Sequence, residues 1–285
     1  MITSRPPTKS AKALTRAVSR SVVRSDAPTP PVTYPAALFA AGEPGIWLDF
    51  GDLTTMFQDA AGTIPAIENN QVALIRDKSG RGNHVTQSGS NRPILRRTGA
   101  VWYLEFDGTD DYLQTASLDF TGTNKVTLFA AYMKAVDTGL AVLVEHGPSV
   151  TSNAGSFNLT APNSAAANYG FNLNGNGTVA TRVASPFAAL SATNVLTCVY
   201  DLAGAGAAAE MAIRVNGVTP SLTAVGDAGT GNFGNYPLYI GCRGAVSNPA
   251  KGYMVGLIVR GALTDSTGIT GTEQQLAGRS GISFP

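Results

Sequence analysis

Charge is scarce in this chain. Only 14% of its 285 residues are Asp, Glu, Lys or Arg, against roughly 25% in ordinary soluble domains, which argues against a disordered polyelectrolyte or a salt-bridge-laced helical bundle. Cysteine is scarcer: Cys198 and Cys242 are the only two, too few for a disulfide scaffold or a four-thiolate zinc site. Both lie in strand-like runs, "VLTCVYD" and "YIGCRG", and read as buried free thiols. The two histidines, His84 in "GRGNHVTQ" and His146 in "VEHGPS", share no context that would signal a Ser-His-Asp triad. No Gly-Lys-Ser/Thr follows "SGRGNH", so a phosphate loop is not indicated. The chain has no apolar stretch long enough to span a bilayer, and none follows its basic opening as in a secretory leader. The expectation is a soluble product made in the cytoplasm of the producing cell.

Glycine, in contrast, is abundant at 32 residues, and hydrophobic residues make up 44%. Together they predict many short strands joined by tight turns. Strands are expected at 101–106, 112–118, 125–134, 140–145, 156–160, 168–174, 178–183, 194–201, 209–217, 236–243 and 251–260, with Gly, Asn, Asp or Pro between nearly every pair. Several of them alternate apolar with polar residues, as in "VLTCVYD" and "MAIRVNG". The expected fold is all-β, an antiparallel jelly-roll sandwich. No fixed-period repeat points to a solenoid or propeller. Ahead of these strands, "GDLTTMFQDAAG" reads as a short helix capped by Asp52, with Leu53, Met56 and Phe57 on one face and Gly62 ending it.

The opening 35 residues form a separate unit. They hold six basic side chains and one acid, whereas the remainder holds 14 basic against 18 acidic. In "AKALTRAVSRSVVRS", Leu14, Val18 and Val22 recur every four residues, and Lys12, Arg16, Arg20 and Arg24 recur on the opposite side. A helix this short is marginal alone and needs a cover for its apolar face. Leu14, Arg16, Val18, Arg20 and Val22 are therefore the candidate anchoring residues. No aromatic is interleaved for base stacking, so no specific nucleic acid is expected. Four prolines in "DAPTPPVTYP" then make a stiff linker. The division is an anchor arm and linker at 1–35 and a sandwich at 36–285, its first part (36–99) being a lead-in segment with a short helix.

"YLEFDGTDDYLQT", "KVTLFAAYMK", "AIRVNGV" and "PLYIGCRGAVSNPAKGYMVGLIVRGALTDSTGITGTEQQLAG", in that order, resemble the concanavalin A-like lectin/glucanase family in its laminin-G-like form, over roughly residues 100–280. "LFAAGEPGIWLDFGDLTTMFQDAAGT" and "IRDKSGRGNHVTQSGSNRP" look like a segment that precedes this sandwich in phage and prophage proteins of unassigned or tail-associated function. The resemblance implies a virion protein with no enzymatic activity. It would be a tail fibre component attached through residues 1–35 to other virion proteins, a homo-oligomer with a trimer favoured, and a lectin-like binder of host-surface glycan. The alternatives are a capsid decoration or head fibre protein and, from another class, a glycoside hydrolase.

"LEFDGTDDYLQT" concentrates four acids in seven positions. In the glucanase branch of the family a Glu-x-Asp-x-x-Glu strand places its carboxylates on one face; here the spelling is Glu105-Phe-Asp107-Gly-Thr-Asp110, with Gly108 breaking the strand. Asp107, Asp110 and Asp111 are also a candidate calcium cluster, since calcium takes 6–8 oxygens. The third reading, which the residue types favour, is a corner: Asp107 accepting backbone N–H groups and Gly108 supplying a positive φ. For sugar binding, the candidates are Tyr169, Phe171, Phe233 and Tyr236, aromatics near the Asn/Gly-rich stretches "NYGFNLNGNG" and "GNFGNYP".

Overall fold

Period-two alternation along Gly-punctuated strands folds, in the computed structural model, into two stacked antiparallel sheets. The structure describes residues 1, 33–164, 167–185 and 190–283. The candidate anchor residues Leu14, Arg16, Val18, Arg20 and Val22 lie outside them. Among the described residues the strands are β1 (Gly45–Asp49), β2 (Met56–Phe57), β3 (Leu74–Ile75), β4 (Val85–Thr86), β5 (Ile94–Thr98), β6 (Val101–Asp107), β7 (Leu113–Asp119), β8 (Lys125–Lys134) and β9 (Val142–His146). They continue with β10 (Ser156–Thr160), β11 (Tyr169–Asn174), β12 (Ala180–Ala184), β13 (Thr193–Asp201), β14 (Met211–Val215), β15 (Leu222–Val225), β16 (Asn235–Ile240) and β17 (Lys251–Arg260). A one-turn helix α1 (Ala207–Glu210) precedes β14, and α2 (Ser266–Ser280) follows β17.

The first sheet runs β14-β13-β8-β17-β6-β5, with β1 also paired to β17. The second runs β15-β12-β11-β10-β9-β16-β7-β4-β3-β2. Between them lies the main core, built from inward residues such as Leu104, Phe106, Leu128, Tyr132, Phe157, Leu159, Phe171, Leu173, Tyr200 and Leu257. Each large apolar side chain buried there contributes about 1.5–3 kcal/mol.

A second apolar cluster covers the opposite face of the first sheet. Phe129, Ala131, Val195, Val255 and Ile258 point away from the main core and meet Leu276 and Ala277 of α2, with Leu38 and Phe39 beside them. The helix starts where Asp265 accepts from the Gly268 N–H and stops where Gly281 takes a left-handed conformation, φ 67°. An ion pair with one buried member pins it to the sheet: the buried Glu273 accepts from the half-buried Arg214 at 2.8 and 3.0 Å and from the Thr197 hydroxyl at 2.8 Å.

The expected helix over "GDLTTMFQDAAG" is shorter than its spacing suggested. Asp52 does cap it, accepting from the Thr54 N–H, but the turn is 3-10 and covers only Leu53–Thr55. Met56 and Phe57 leave it to pair with Ile75 and Leu74, because strand pairing supplies both backbone partners and a seat for Met56 in the core.

Candidate functional site

The outward face of the second sheet carries one continuous cross-strand row. Successive Cα partners run Phe57, Leu74, Thr86, Gln114, Tyr239, Glu145, Asn158, Asn172, Thr181, Val225, one residue from each of the ten strands. Their chain neighbours Met56, Ile75, Val85, Leu113, Leu238, Ile240, Val144, Phe157, Leu159, Phe171, Leu173 and Ala180 all belong to the main core. Strict alternation therefore turns the row outward. Seven of its ten members, from Thr86 to Thr181, are polar, on a rigid support.

Half of this row is closed. Thr181 donates to Asn172 at 2.7 Å, Asn172 to Asn158 at 2.7 Å, and Asn158 to Glu145 at 3.1 Å. Glu145 also accepts from the Val150 N–H at 2.7 Å and from Arg243 Nε at 3.1 and 3.3 Å. The segment after β9 folds over this half, and Asn174 holds it by donating to the Val150 carbonyl at 2.7 Å. Glu145 and Asn158 are fully buried although they point away from the core. Burial pushes the Glu145 carboxyl up, while the Val150 N–H and the Arg243 guanidinium pull it back.

The other half is open. Thr86, Gln114 and Tyr239 are half-buried, and the side-chain polar groups of these three make no hydrogen bond among the described residues. Burial raises the Tyr239 hydroxyl above its ordinary value, with Cys242, Tyr112 and Glu145 adding to it, which places Tyr239 beside the strand end where Cys242 and Arg243 emerge. Beyond that strand end lies a rim pocket of about 210 Å³, lined by Asn91, Thr109, Asp110, Cys242, Ser247 and the apolar side chains around Val246. A larger cleft of about 400 Å³ opens on the first sheet, between Tyr103, Met133, Tyr253 and Val255, and continues the apolar surface beside α2.

Three of the four aromatics proposed for sugar stacking are placed elsewhere. Tyr169, Phe171 and Phe233 lie in the core at 0, 0 and 1% exposure, so no sugar reaches their faces. They are inward because β11 alternates: Tyr169, Phe171 and Leu173 face the first sheet, and Asn172 and Asn174 face out. Tyr236 is half-buried, its hydroxyl donating to the Ala154 carbonyl at 3.0 Å and its ring edge-on to His146.

The acidic stretch builds a corner. Asp107 accepts from the Thr109 N–H at 2.7 Å, Asp111 accepts from the Asp107 N–H at 3.0 Å, and Gly108 sits at φ 80° against Lys251. Carboxylate oxygens of Asp107, Asp110 and Asp111 lie within 4.8 Å of one another. Calcium would need further oxygens to reach 6–8, and two of these carboxylates are already engaged by the turn's own N–H groups. Burial, reinforced by the neighbouring acids, pushes the Asp111 carboxyl up to about 6. Glu105 is outside this group of three and is ion-paired with Arg96 at 2.6 Å.

Sequence reasoning missed Gln114, Tyr239, Glu145, Arg243 and the asparagine ladder. Its signal is the polar half of "SFNLT" and "YGFNLN", where alternation sets Asn158, Asn172 and Asn174 on one face.

No family model matches this chain, and no curated protein matches it. Solved structures do. The binding domain of Paraclostridial Mosquitocidal Protein 1 superposes with a TM-score of 0.56 at 9% identity, covering 83% of this chain and 52% of that one. A botulinum neurotoxin type C structure gives 0.52 at 11% identity, covering 82% and 51%. The binding domain of botulinum neurotoxin serotype G gives 0.52 at 9%, covering 72% and 49%. The chain spans about half the length of these structures, and what it shares with them is the fold: an antiparallel β-sandwich found in binding domains.

Proposed function

We propose that this chain is a non-catalytic, lectin-like virion protein of a phage, most simply a tail fibre component, that holds host-surface glycan on the open half of its second sheet. The observation carrying the proposal is that open half: Tyr239, Gln114 and Thr86 stand side by side on a rigid face with unspent polar groups, next to a small pocket walled by amide, hydroxyl and carboxylate groups. A ring with adjacent amide and hydroxyl groups suits a sugar, whose C–H face stacks and whose hydroxyls need partners. Botulinum neurotoxin type C, one of the sandwiches similar in fold, enters cells in a manner dependent on interaction with two ganglioside molecules; this supports glycan as the ligand class. The virion assignment rests on the sequence resemblance and on the amphipathic spacing of Leu14, Val18 and Val22, which would join the protein to its particle as a homotrimer.

The test is a glycan array probed with purified protein. Capture is expected, and Tyr239→Ala should weaken it by at least about tenfold, or ~1.4 kcal/mol. Failure of the wild-type protein to bind any glycan, or hydrolysis of a bound one, would overturn this reading. Gold-conjugated antibody against residues 100–285 should label phage tails; label over the capsid would instead make this a decoration or head fibre protein. Deleting residues 1–34 should leave a folded sandwich that no longer joins particles.

A further inference from the structure

The rim pocket is unlike a site for an anion. Asp110 is its one charged wall residue, and Asp107 and Asp111 stand within 4.8 Å of it. Arg243, which follows Cys242 in the chain, spends its Nε on both oxygens of Glu145, at 3.1 and 3.3 Å. Lys251 lies beyond the corner, opposite Asp107 and packed against Gly108. Backbone donors are spent as well. In the turn after Arg243, the Val246 and Ser247 N–H groups bond the Arg243 carbonyl at 3.0 and 3.2 Å, and the N–H groups of Ala245 and Val246 face the Cys242 sulfur. A bound carboxylate ordinarily needs a free guanidinium fork or a nest of amides turned toward it. No Arg or Lys lines this pocket among the described residues.

What the pocket does offer is acceptors, hydroxyls and a small apolar surface. The Asp110 side chain is exposed and can take a hydrogen bond from a sugar hydroxyl. Thr109 and Ser247 can both donate and accept. Asn91 has its carbonyl oxygen occupied by the Ser90 hydroxyl at 2.9 Å, which leaves its amide to donate. Val246, 86% exposed, supplies C–H contact. At about 210 Å³ the pocket is smaller than the roughly 300–1,000 Å³ of drug-sized ligand sites, a size for one sugar ring.

We infer that this site selects uncharged glycan termini and rejects sialylated or otherwise anionic ones. The inference rests on the glycan-binding reading above and adds the ligand class to it. The discrimination is electrostatic: an anionic sugar would meet three carboxylates at the rim, with no Arg or Lys on the pocket wall to offset them.

The experiment uses the full chain on an array of matched glycan pairs that differ only by a terminal sialic acid, run once with EDTA and once with calcium. The expected result is at least about tenfold weaker capture of the sialylated member of each bound pair in both runs. Asp110→Asn should weaken capture of the uncharged member and narrow the gap, and Asp110→Lys should raise capture of the sialylated one; thermal melts confirm that both variants fold. Equal or stronger capture of sialylated glycans overturns the inference while leaving the glycan reading intact, and calcium-dependent capture of them does the same by showing that a bound cation inverts the local charge. An Asp110→Asn variant identical to wild type overturns the placement in the rim pocket. Capture of no glycan of either kind sinks the reading and the inference together.

Discussion

The two outward faces of the sandwich are made by strands of the same period, yet one is apolar and the other polar. On the first sheet Phe129, Ala131, Val195, Val255 and Ile258 face out, and a helix covers them. On the second, the corresponding positions are Gln114, Tyr239, Glu145, Asn158 and Asn172, and where they are covered, hydrogen bonds do the covering. An apolar face loses stability in proportion to the area uncovered. A buried polar face behaves differently, because taking away one member leaves its partners unsatisfied. The polar face can therefore stay open on one half only if the closed half is completely paired.

The sharpest way to break this contrast is Glu145→Ala. It strands Arg243, Asn158 and the Val150 N–H together, and unfolding in denaturant should register a loss of about 3–5 kcal/mol. On the apolar face, Leu276→Ala should cost about 2–3 kcal/mol, the low end of such truncations, since α2 can settle onto Gly256 beneath it. Hydrogen exchange in α2 should speed up while the second sheet's protection is unchanged.

A third test uses pH, and compares a residue inside the sandwich with one at its rim. His146 faces the core from the same strand on which Glu145 faces out, and burial pushes its imidazole down to about 4. The unfolded chain takes up a proton near the ordinary value of 6.5 that the folded chain refuses until about 4. Stability from this residue is complete above 6.5 and is lost as pH falls through that window, by on the order of 3 kcal/mol. Asp111, pushed up to about 6, has the opposite sign: its contribution is intact at low pH and is lost as pH rises from about 4 to 6. His146→Phe should consequently remove an acid-labile slope and Asp111→Asn a smaller slope of the other sign, since solvent at the rim screens its carboxyl. Melting temperatures recorded from pH 4 to pH 7 would separate them; parallel curves for wild type and both variants would show that neither group is coupled to folding. The smallest effect belongs to the open half of the row, where Gln114→Ala should change stability by less than about 0.5 kcal/mol and weaken glycan capture severalfold.

Much of the architecture is legible in local alternation. "KVTLFAAYMK" and "VLTCVYD" carry enough residues to reveal a period of two, and they became β8 and β13. Strands of two residues, such as β2, β3 and β4, are too short to have a period; pairing defines them, and pairing is not written locally. The corner at Asp107–Asp111 is readable because Asx and glycine turn chemistry acts within a few residues. The polar outward face was harder. In "NYGFNLNGNG" the aromatics point in and the asparagines out. Which set faces solvent depends on where the other sheet lies, and a shift of one residue exchanges them. Tyr239 gave no composition signal at all, since its neighbours across strands, Gln114 and Glu145, are more than ninety residues away in the chain.

The open half of the row also fixes a footprint. Thr86, Gln114 and Tyr239 occupy three adjacent strands, about 4.8 Å apart each, so they span about 10 Å. On the glycan reading proposed above, a patch of that width would engage one or two sugar units and release them readily. Any durable hold on a surface would then be a matter of valency, with copies presented together so that one contact keeps the next within reach.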